Sequence, residues 1–571
     1  MSPAAPVAAI SVASVASALL IGCQDESAPE YWIDKLEDKA WRPRAIKRLE
    51  QFFEDAATKA NKNMDAPEVK QLVDKIATPL TQTYVSSYSD LDENVRVSLI
   101  KLIAALRDPR TEPALSKALD EFGKTGRGGE DIKWAARAAA DLKLDSLSDE
   151  VLNAFFKLRA DSKEGGTSYR DYNEAMVKLA SKGWSPRLIE ALNAPMELPQ
   201  PGGEQNKEKI TDFRNQQFWQ TTAAQLLGEI GDPAAVESLI KVVLDPPKAN
   251  VAATAVLALV KIGKPASDRA AKLIAGQDKA LSDFALERAK KASPNNPPLD
   301  PDVRSAAVIL GTIGNASAAT AMVDALKNAK AEDTRAVITR ELAKLPPTEP
   351  VLAAFKTGYE SLSPDAVIPP GAPAQPVLAE SAATFFDADL IPWLLTAAKT
   401  AKGDEDVRKG TQSAITVSVI KLARSQDLDA VKGAVQSYGT QLERDVFKQA
   451  EGLLNSCKAK VECYVAALEK DENQDKKGQF IGIKAAYMAG VLGNEATRDQ
   501  LVKQFGGIYN AAVRFTTVMA IDHLSPKGSA AAADELQKLV DANVKTADAE
   551  KISGDAPVKQ VIYRLRSRTQ S

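Results

Sequence analysis

The chain has 571 residues, of which 44% are hydrophobic and 26% are charged, a composition typical of a protein that buries a core. Its 73 Lys and Arg residues are balanced by 76 Asp and Glu residues, which gives a formal net charge of −3. This balance excludes the general basic field on which non-specific nucleic-acid binding depends, so no nucleic-acid partner is expected.

The N-terminal stretch is apolar and carries no charged side chain before its first cysteine. It ends in Leu20, Ile21, Gly22 and Cys23. This ending resembles the lipobox of bacterial lipoproteins, in which the cysteine is diacylated and becomes the mature N-terminus. The resemblance implies a signal peptide with lipobox at residues 1–22, lipidation of Cys23 and a short tether at 23–30.

The apolar N-terminal stretch has other interpretations besides a lipoprotein signal. The first basic residue is Lys35, whereas a signal peptide normally opens with Lys or Arg. The other interpretations are therefore an uncleaved membrane anchor, a secretory signal without lipid and an unexported Ala-rich tail.

A lipoprotein signal also predicts the membrane in which the protein resides. In lipoproteins an Asp after the cysteine retains the protein in the inner membrane, and here that position is Gln24. The resemblance thus implies the outer membrane of a Gram-negative cell, facing the periplasm.

Helical patterns begin directly after the tether. The aromatic-rich stretch 31–54 predicts a first pair of helices that caps the fold. Residues 99–119 predict another pair, joined at the corner Asp108-Pro109.

The clearest helical hairpin lies at residues 215–244. Its first helix has apolar residues three or four apart, which places them on one face: Trp219, Ala223, Leu226, Leu227 and Ile230. Gly231 ends this helix, Asp232 caps the next one, and Pro233 suits a first helical turn. The second helix has the same spacing at Val236, Leu239, Ile240, Val243 and Leu244. One hairpin cannot cover this apolar stripe alone, so neighbouring copies must.

Altered copies of the hairpin recur at 255–266, 306–326 and 485–501, with Gly314-Asn315 or Gly493-Asn494 at the corner. The shared pattern, AA-x-x-L-G-x-I-G-[DN]-x-x-A-x-x-x-L, is similar to HEAT repeats, particularly the bacterial HEAT-like variety also found in phycobilin lyases. The resemblance covers most of the chain and implies an all-α fold, an α-solenoid of stacked antiparallel helical hairpins over residues 31–571. We expect one elongated array, since the hairpins of a solenoid contact only their neighbours.

Gly-, Pro- or charge-rich insertions interrupt the repeats. The two at about 197–214 and 361–375 are candidates for partner contact, because loops on a rigid scaffold often carry binding specificity. The second contains four prolines and predicts an extended, helix-free crossing. The alternative interpretation is that they are solvated linkers.

Two features are predicted near the C-terminus. Cys457 and Cys463 are too far apart to bridge on one continuous helix, but a turn between two helices would allow a disulfide. An oxidising periplasm favours that bond, and two buried thiols in a cytosolic protein are the alternative. Arg564, Arg566 and Arg568 are expected to complement the dipole at the end of the last helix.

Residues for catalysis are scarce. The only histidine, His523, lies in a segment typical of a helix end, which suggests a cap or a surface residue. There is no G-x-S-x-G elbow, no G-x-x-x-x-G-K-[ST] phosphate loop, and too few Cys and His residues for a metal site. We therefore expect neither an enzyme nor a cofactor, metal or small-molecule substrate.

These observations favour a non-catalytic lipoprotein that serves as a scaffold or adaptor for other envelope proteins. One alternative is an enzyme or tetrapyrrole-binding chaperone similar to the phycobilin lyases. Another is a cytosolic HEAT scaffold, if the chain is not exported.

Overall fold

The computed structural model describes residues 25–162, 169–199, 205–475, 478–546 and 549–569. Leu20, Ile21, Gly22 and Cys23 lie outside these ranges, so the lipobox and the lipid anchor stay predictions. The chain forms two compact units, within residues 1–180 and 181–571.

The first unit is helical throughout its described part. Its helices are α1 (Pro29–Asp34), α2 (Arg42–Lys59), α3 (Pro67–Ser87), α4 (Glu93–Leu106), α5 (Glu112–Thr125), α6 (Gly129–Asp141), α7 (Ser148–Phe155) and α8 (Tyr169–Leu179). Helices adjacent or next but one in sequence pack together, as in a hairpin stack. Trp32 is fully buried, in agreement with the capping role expected of the first aromatic pair.

The second unit repeats this arrangement and adds one small hairpin of strands. Its helices are α9 (Ser185–Asn193), α10 (Gln205–Ile230), α11 (Val236–Val243), α12 (Ala249–Ile262), α13 (Lys264–Ile274), α14 (Lys279–Ala292), α15 (Pro301–Ile313), α16 (Ala319–Asn328), α17 (Glu332–Leu342), α18 (Glu349–Glu360), α19 (Ala374–Ala382), α20 (Ile391–Lys399), α21 (Glu405–Leu422), α22 (Leu428–Tyr438), α23 (Gln441–Cys457), α24 (Val461–Ala467), α25 (Gln479–Leu492), α26 (Glu495–Gln504), α27 (Ala511–His523), α28 (Ala530–Thr546) and α29 (Ala549–Arg568). Strands β1 (Val367–Ile368) and β2 (Ala372–Pro373) pair antiparallel. The predicted all-α solenoid of helical hairpins is confirmed.

The predicted corner between the helices of a hairpin is confirmed at residue level. Gly231 adopts φ +69°, and the Asp232 carboxylate accepts a hydrogen bond of 3.0 Å from the backbone N–H of Ala234. The same side-chain cap is formed by Asp108 and Asn315. Gly493 differs, because its φ is −82° and no left-handed turn forms there.

The structure agrees with expectation for one of the two insertions proposed for partner contact and differs from it for the other. Helix α10 begins at Gln205, so the second half of the 197–214 segment is helical rather than a loop. Residues 205–214 contain neither Gly nor Pro, and nothing local stops the helix from extending there. The 361–375 segment is free of helix up to Pro373, as predicted, and forms the β1–β2 hairpin around a cis Pro369-Pro370 bond.

The C-terminal helix α29 departs from the expected neighbour-only contacts. It packs on its neighbours α27 and α28. It also packs on α12, which lies about three hundred residues earlier in the sequence. Arg564 and Arg568 are buried and contact Lys344, Gly314 and Asp522, whereas Arg566 is partly exposed. The expectation that these arginines serve only the dipole of their own helix is therefore wrong for two of the three.

Over the described ranges, no single helix combines the length and apolar character needed to cross a bilayer, and the helix pair Pro233–Val243 and Pro246–Ile262 meets that criterion only jointly, with a 102° bend between them.

Candidate partner-binding grooves

A groove of about 550 Å³ lies beside the N-terminal half of α10, and we call it the α10 groove. Its lining comes from the extended segment 195–199, from the exposed turns of α10, from Pro247 and from the end of α14. The candidate insertion at 197–214 thus forms two sides of this groove, with its described residues in both an extended and a helical part.

Buried polar groups fix the base of the α10 groove. The ammonium group of Lys248 donates hydrogen bonds to the carbonyl oxygens of Leu192 and Ala194, the latter at 2.8 Å. Burial lowers the pKa of Lys248 to about 8, although the nearby Asp245 carboxylate opposes this shift. Asp245 accepts two hydrogen bonds, of 2.6 and 3.0 Å, from the guanidinium of Arg288. These contacts hold the chain leaving α9 against α12 and α14.

The walls of the α10 groove combine apolar surface with charges of both signs. Met196 is buried at the base, while Leu198 is 56% exposed. The rim carries Lys209 and Asp212, and the Lys291 ammonium lies 3.9 Å from the Glu197 carboxylate. An apolar base with a charged rim is the usual anatomy of a protein-binding surface.

A second groove, of about 540 Å³, lies where α18 leads into the 361–375 segment, and we call it the Trp393 groove. The indole N–H of Trp393 donates a hydrogen bond of 2.7 Å to Glu360, and its ring packs edge-on against Tyr359 at 5.3 Å. Burial raises the pKa of the Tyr359 phenol above its usual range. On the opposite side, Glu332 accepts a hydrogen bond of 2.6 Å from the backbone N–H of Ser363 and so fixes the start of the insertion.

The only histidine lies at the end of α27, as its sequence suggested, but it is not a simple cap or surface residue. The imidazole of His523 stacks on Phe386 with ring centroids 5.0 Å apart. Burial lowers its pKa to about 4, against the opposing effects of Asp522 and Asp387. The ring is therefore neutral at pH 7.

The two C-terminal cysteines lie at the predicted corner between two helices. Cys457 ends α23 and Cys463 lies in α24, with Lys458 in a left-handed conformation between them. Their sulfur atoms are at disulfide distance and their Cα atoms are 5.4 Å apart. This geometry confirms that the pair can be bridged.

Sequence reasoning missed the buried cations and Trp393. Lys484 is fully buried in α25, and its ammonium donates to the carbonyl oxygens of Lys421 and Ala423. A lysine within the apolar run FIGIKAAYMAG was the available sign of such a role. Among the described residues, no group of three or more His, Cys, Asp or Glu side chains is placed to hold a metal ion.

Comparison with known proteins identifies the repeat type. Residues 219–245, which span the end of α10 and all of α11, match the family model of the PBS lyase HEAT-like repeat. The chain thus contains a HEAT-like repeat within an all-α solenoid fold, and the resemblance seen in the sequence is confirmed for this hairpin. A comparison with curated protein sequences gives no significant match.

Solved structures that match this chain share little sequence with it. Kap121p is 11% identical, with a TM-score of 0.38, and the alignment covers 95% of this chain and 66% of that one. Kap121p bound to the SUMO protease Ulp1p is also 11% identical, with a TM-score of 0.30 and coverage of 94% and 55%. A circular tandem repeat protein is 13% identical, with a TM-score of 0.14 and 95% coverage of both chains. The chain spans less than two thirds of the length of the Kap121p chains, and these likenesses carry no functional inference.

Proposed function

We propose that this protein is a non-catalytic scaffold or adaptor that binds other proteins through grooves on its helical repeats. The observation that supports this proposal is that both insertions singled out in the sequence border grooves of more than 500 Å³, the α10 groove and the Trp393 groove. Each presents apolar surface with a polar rim on a rigid helical base, an arrangement suited to protein partners.

The partners are other envelope proteins, and the scaffold is anchored by lipid on Cys23 in the outer membrane, facing the periplasm. Support for this location comes from the lipobox-like ending Leu20-Ile21-Gly22-Cys23. The bridgeable pair Cys457 and Cys463 adds support, since disulfides persist in oxidising compartments.

The location is tested by intact mass and detergent partitioning of the protein from its host's membrane fraction, wild type beside Cys23→Ser. We expect a mature chain that starts at Cys23 and carries acyl mass, with both features lost in the variant. An unmodified chain that starts at Met1 in the soluble fraction would contradict the envelope location while leaving the scaffold proposal to the next experiment.

The scaffold function is tested by quantitative crosslinking in cells that carry single substitutions in the grooves. Leu198→Asp places a charge on the exposed apolar residue of the α10 groove, and Trp393→Ala removes the aromatic wall of the other groove. The matched control is Leu442→Asp, because Leu442 is 71% exposed on α23, away from both grooves. We expect each groove variant to lose a subset of crosslinked proteins about fivefold or more, as removal of an anchor side chain does, and the control to lose none. Identical crosslinking profiles in all four proteins would contradict the proposal.

A further inference from the structure

A third groove, of about 500 Å³, runs between α16 and α18, and we call it the Arg335 groove. It shares only Ser361, at the end of α18, with the lining of the Trp393 groove. Its sides are apolar or small, and they include Val323, Leu326, Pro350 and Ala354. Among the described residues that line it there is no carboxylate, whereas two cations, Lys327 and Arg335, are present. Lys327 is paired with Asp324 at 3.0 Å, so the described part of the groove is apolar with Arg335 as its unpaired cation.

The α18 wall is made of small side chains at helical spacing, which leaves room for a second helix. Ala353, Thr357 and Gly358 face the groove, and Ala353 and Thr357 are exposed. On the inner side, a Cβ on Gly358 would collide with the Thr339 side chain of α17, so α17 and α18 pack closely there. Small residues on a rigid pair of helices let another helix approach closely.

Arg335 has an incomplete set of contacts. One terminal nitrogen donates to the carbonyl oxygen of Ala329 at 3.4 Å, but the Nε atom is buried and has no hydrogen-bond partner in the described structure. Its neighbours are paired: Arg340 with Glu341 at 2.7 Å, and Arg304 with Asp333 at 2.9 Å. Arg335 makes no ion pair with any described residue. A guanidinium with an unmet N–H in an apolar groove favours an occupant that brings a carboxylate.

We propose that the Arg335 groove binds an amphipathic helix of a partner protein that carries apolar side chains at i, i+3 or i+4, and i+7 together with a carboxylate for Arg335. Helix α18 has 12 residues and is about 18 Å long, which matches about three turns of such a helix. An uncharged apolar helix leaves the guanidinium without an acceptor, and a basic helix meets repulsion from Arg335. This site goes beyond the proposed function, since apart from Ser361 its lining residues belong to neither the α10 groove nor the Trp393 groove.

The test is to select, from a displayed library of random 16-residue peptides, those that bind the full-length chain. Their affinity is then compared with that for Ala353→Trp, in which the groove is blocked. Ala353 is exposed on α18, so the indole fills the groove without entering the core. The matched control is Ala531→Trp, at an exposed alanine of α28 outside the groove. We expect peptides with the stated apolar spacing and at least one Asp or Glu, whose affinity falls about tenfold or more for Ala353→Trp and is unchanged for Ala531→Trp.

A second variant tests the charge. In Arg335→Gln the shorter, neutral amide cannot pair with a carboxylate, so the affinity of a selected acidic peptide should fall about tenfold, while its Glu→Gln version should bind both proteins equally. The proposal is overturned if no selected peptide discriminates wild type from Ala353→Trp, or if the discriminating peptides are basic or uncharged. It is also overturned if oleate, but no peptide, binds in a manner that depends on Ala353 and Arg335, since the groove is then a lipid site. Failure here with positive crosslinking at Leu198 and Trp393 would leave the proposed function intact.

Discussion

Two buried lysines of this fold donate hydrogen bonds to the backbone carbonyl groups at the ends of helices. Lys248 donates to the carbonyls of Leu192 and Ala194 at the end of α9, and Lys484 does the same for α21 through Lys421 and Ala423. The last carbonyl groups of a helix lack hydrogen-bond donors within the helix and lie at the negative end of its dipole. A cation there donates the missing hydrogen bonds and also interacts favourably with the dipole. Burial lowers the pKa of Lys484 well below its usual range, because removing the charged ammonium from water is unfavourable.

His523 gives the protein a defined pH dependence. Its folded pKa of about 4 lies below the unfolded value of 6.5, so the unfolded state binds the proton more tightly. The free energy of unfolding is undiminished by His523 above pH 6.5. It decreases by about 1.4 kcal/mol per pH unit as the pH falls from 6.5 through the folded pKa of about 4, which amounts to about 3 kcal/mol in all. We expect His523→Phe, which keeps a ring on Phe386, to remove this loss.

The measurement is the free energy of unfolding in urea at several pH values between 7.5 and 4 for wild type and His523→Phe. Other titrating groups are common to both proteins, so the difference between the two curves reports His523. Parallel curves over the whole range would contradict the lowered pKa.

At the scale of the helix, two glycines have opposite packing environments. A Cβ on Gly228 of α10 would lie 2.7 Å from the Cα atom of Ala258 on α12, whereas a Cβ on Gly433 of α22 meets nothing within 4 Å. Gly228→Ala should therefore destabilise the fold by about 1–2 kcal/mol, because overpacking exceeds the gain in helix propensity. Gly433→Ala should stabilise it by about 0.5–1 kcal/mol. Thermal and urea unfolding of both variants check the opposite signs, and a stabilising Gly228→Ala would show that α10 and α12 do not approach this closely.

Prediction from sequence succeeded for elements whose cause is local. The corner at Asp232 was predictable because the carboxylate caps an N–H only two residues away, and the turn between Cys457 and Cys463 because a continuous helix keeps them apart. The start of α10 was missed, since helix formers before the repeat extend it without any break in pattern. The grooves themselves were not predictable, because the surroundings of Trp393 and Arg335 come from other, neighbouring helices whose packing no local pattern specifies.

At the scale of the second unit, the end of the chain packs against its middle. Arg568 donates a hydrogen bond of 3.0 Å to the carbonyl oxygen of Gly314, and Arg564 donates one of 2.6 Å to that of Lys344. Both guanidinium groups also pair with the buried Asp522, at 2.9 and 3.1 Å. The ends of α15 and α17 are thus completed by α29, and these repeats depend on a helix that is not their neighbour in sequence.

This dependence predicts different effects for two arginines on the same helix. Arg568→Gln leaves the Gly314 carbonyl without its buried donor and leaves Asp522 with Arg564 alone, so it should cost about 1–3 kcal/mol. Arg566→Gln breaks only an exposed pair with Asp534 and should cost less than about 1 kcal/mol. Hydrogen exchange should then accelerate in α15 for Arg568→Gln but not for Arg566→Gln. In a stack with neighbour-only contacts, faster exchange would be confined to α27 and α28 beside the altered helix, and that outcome would contradict the contact between α29 and the middle of the unit.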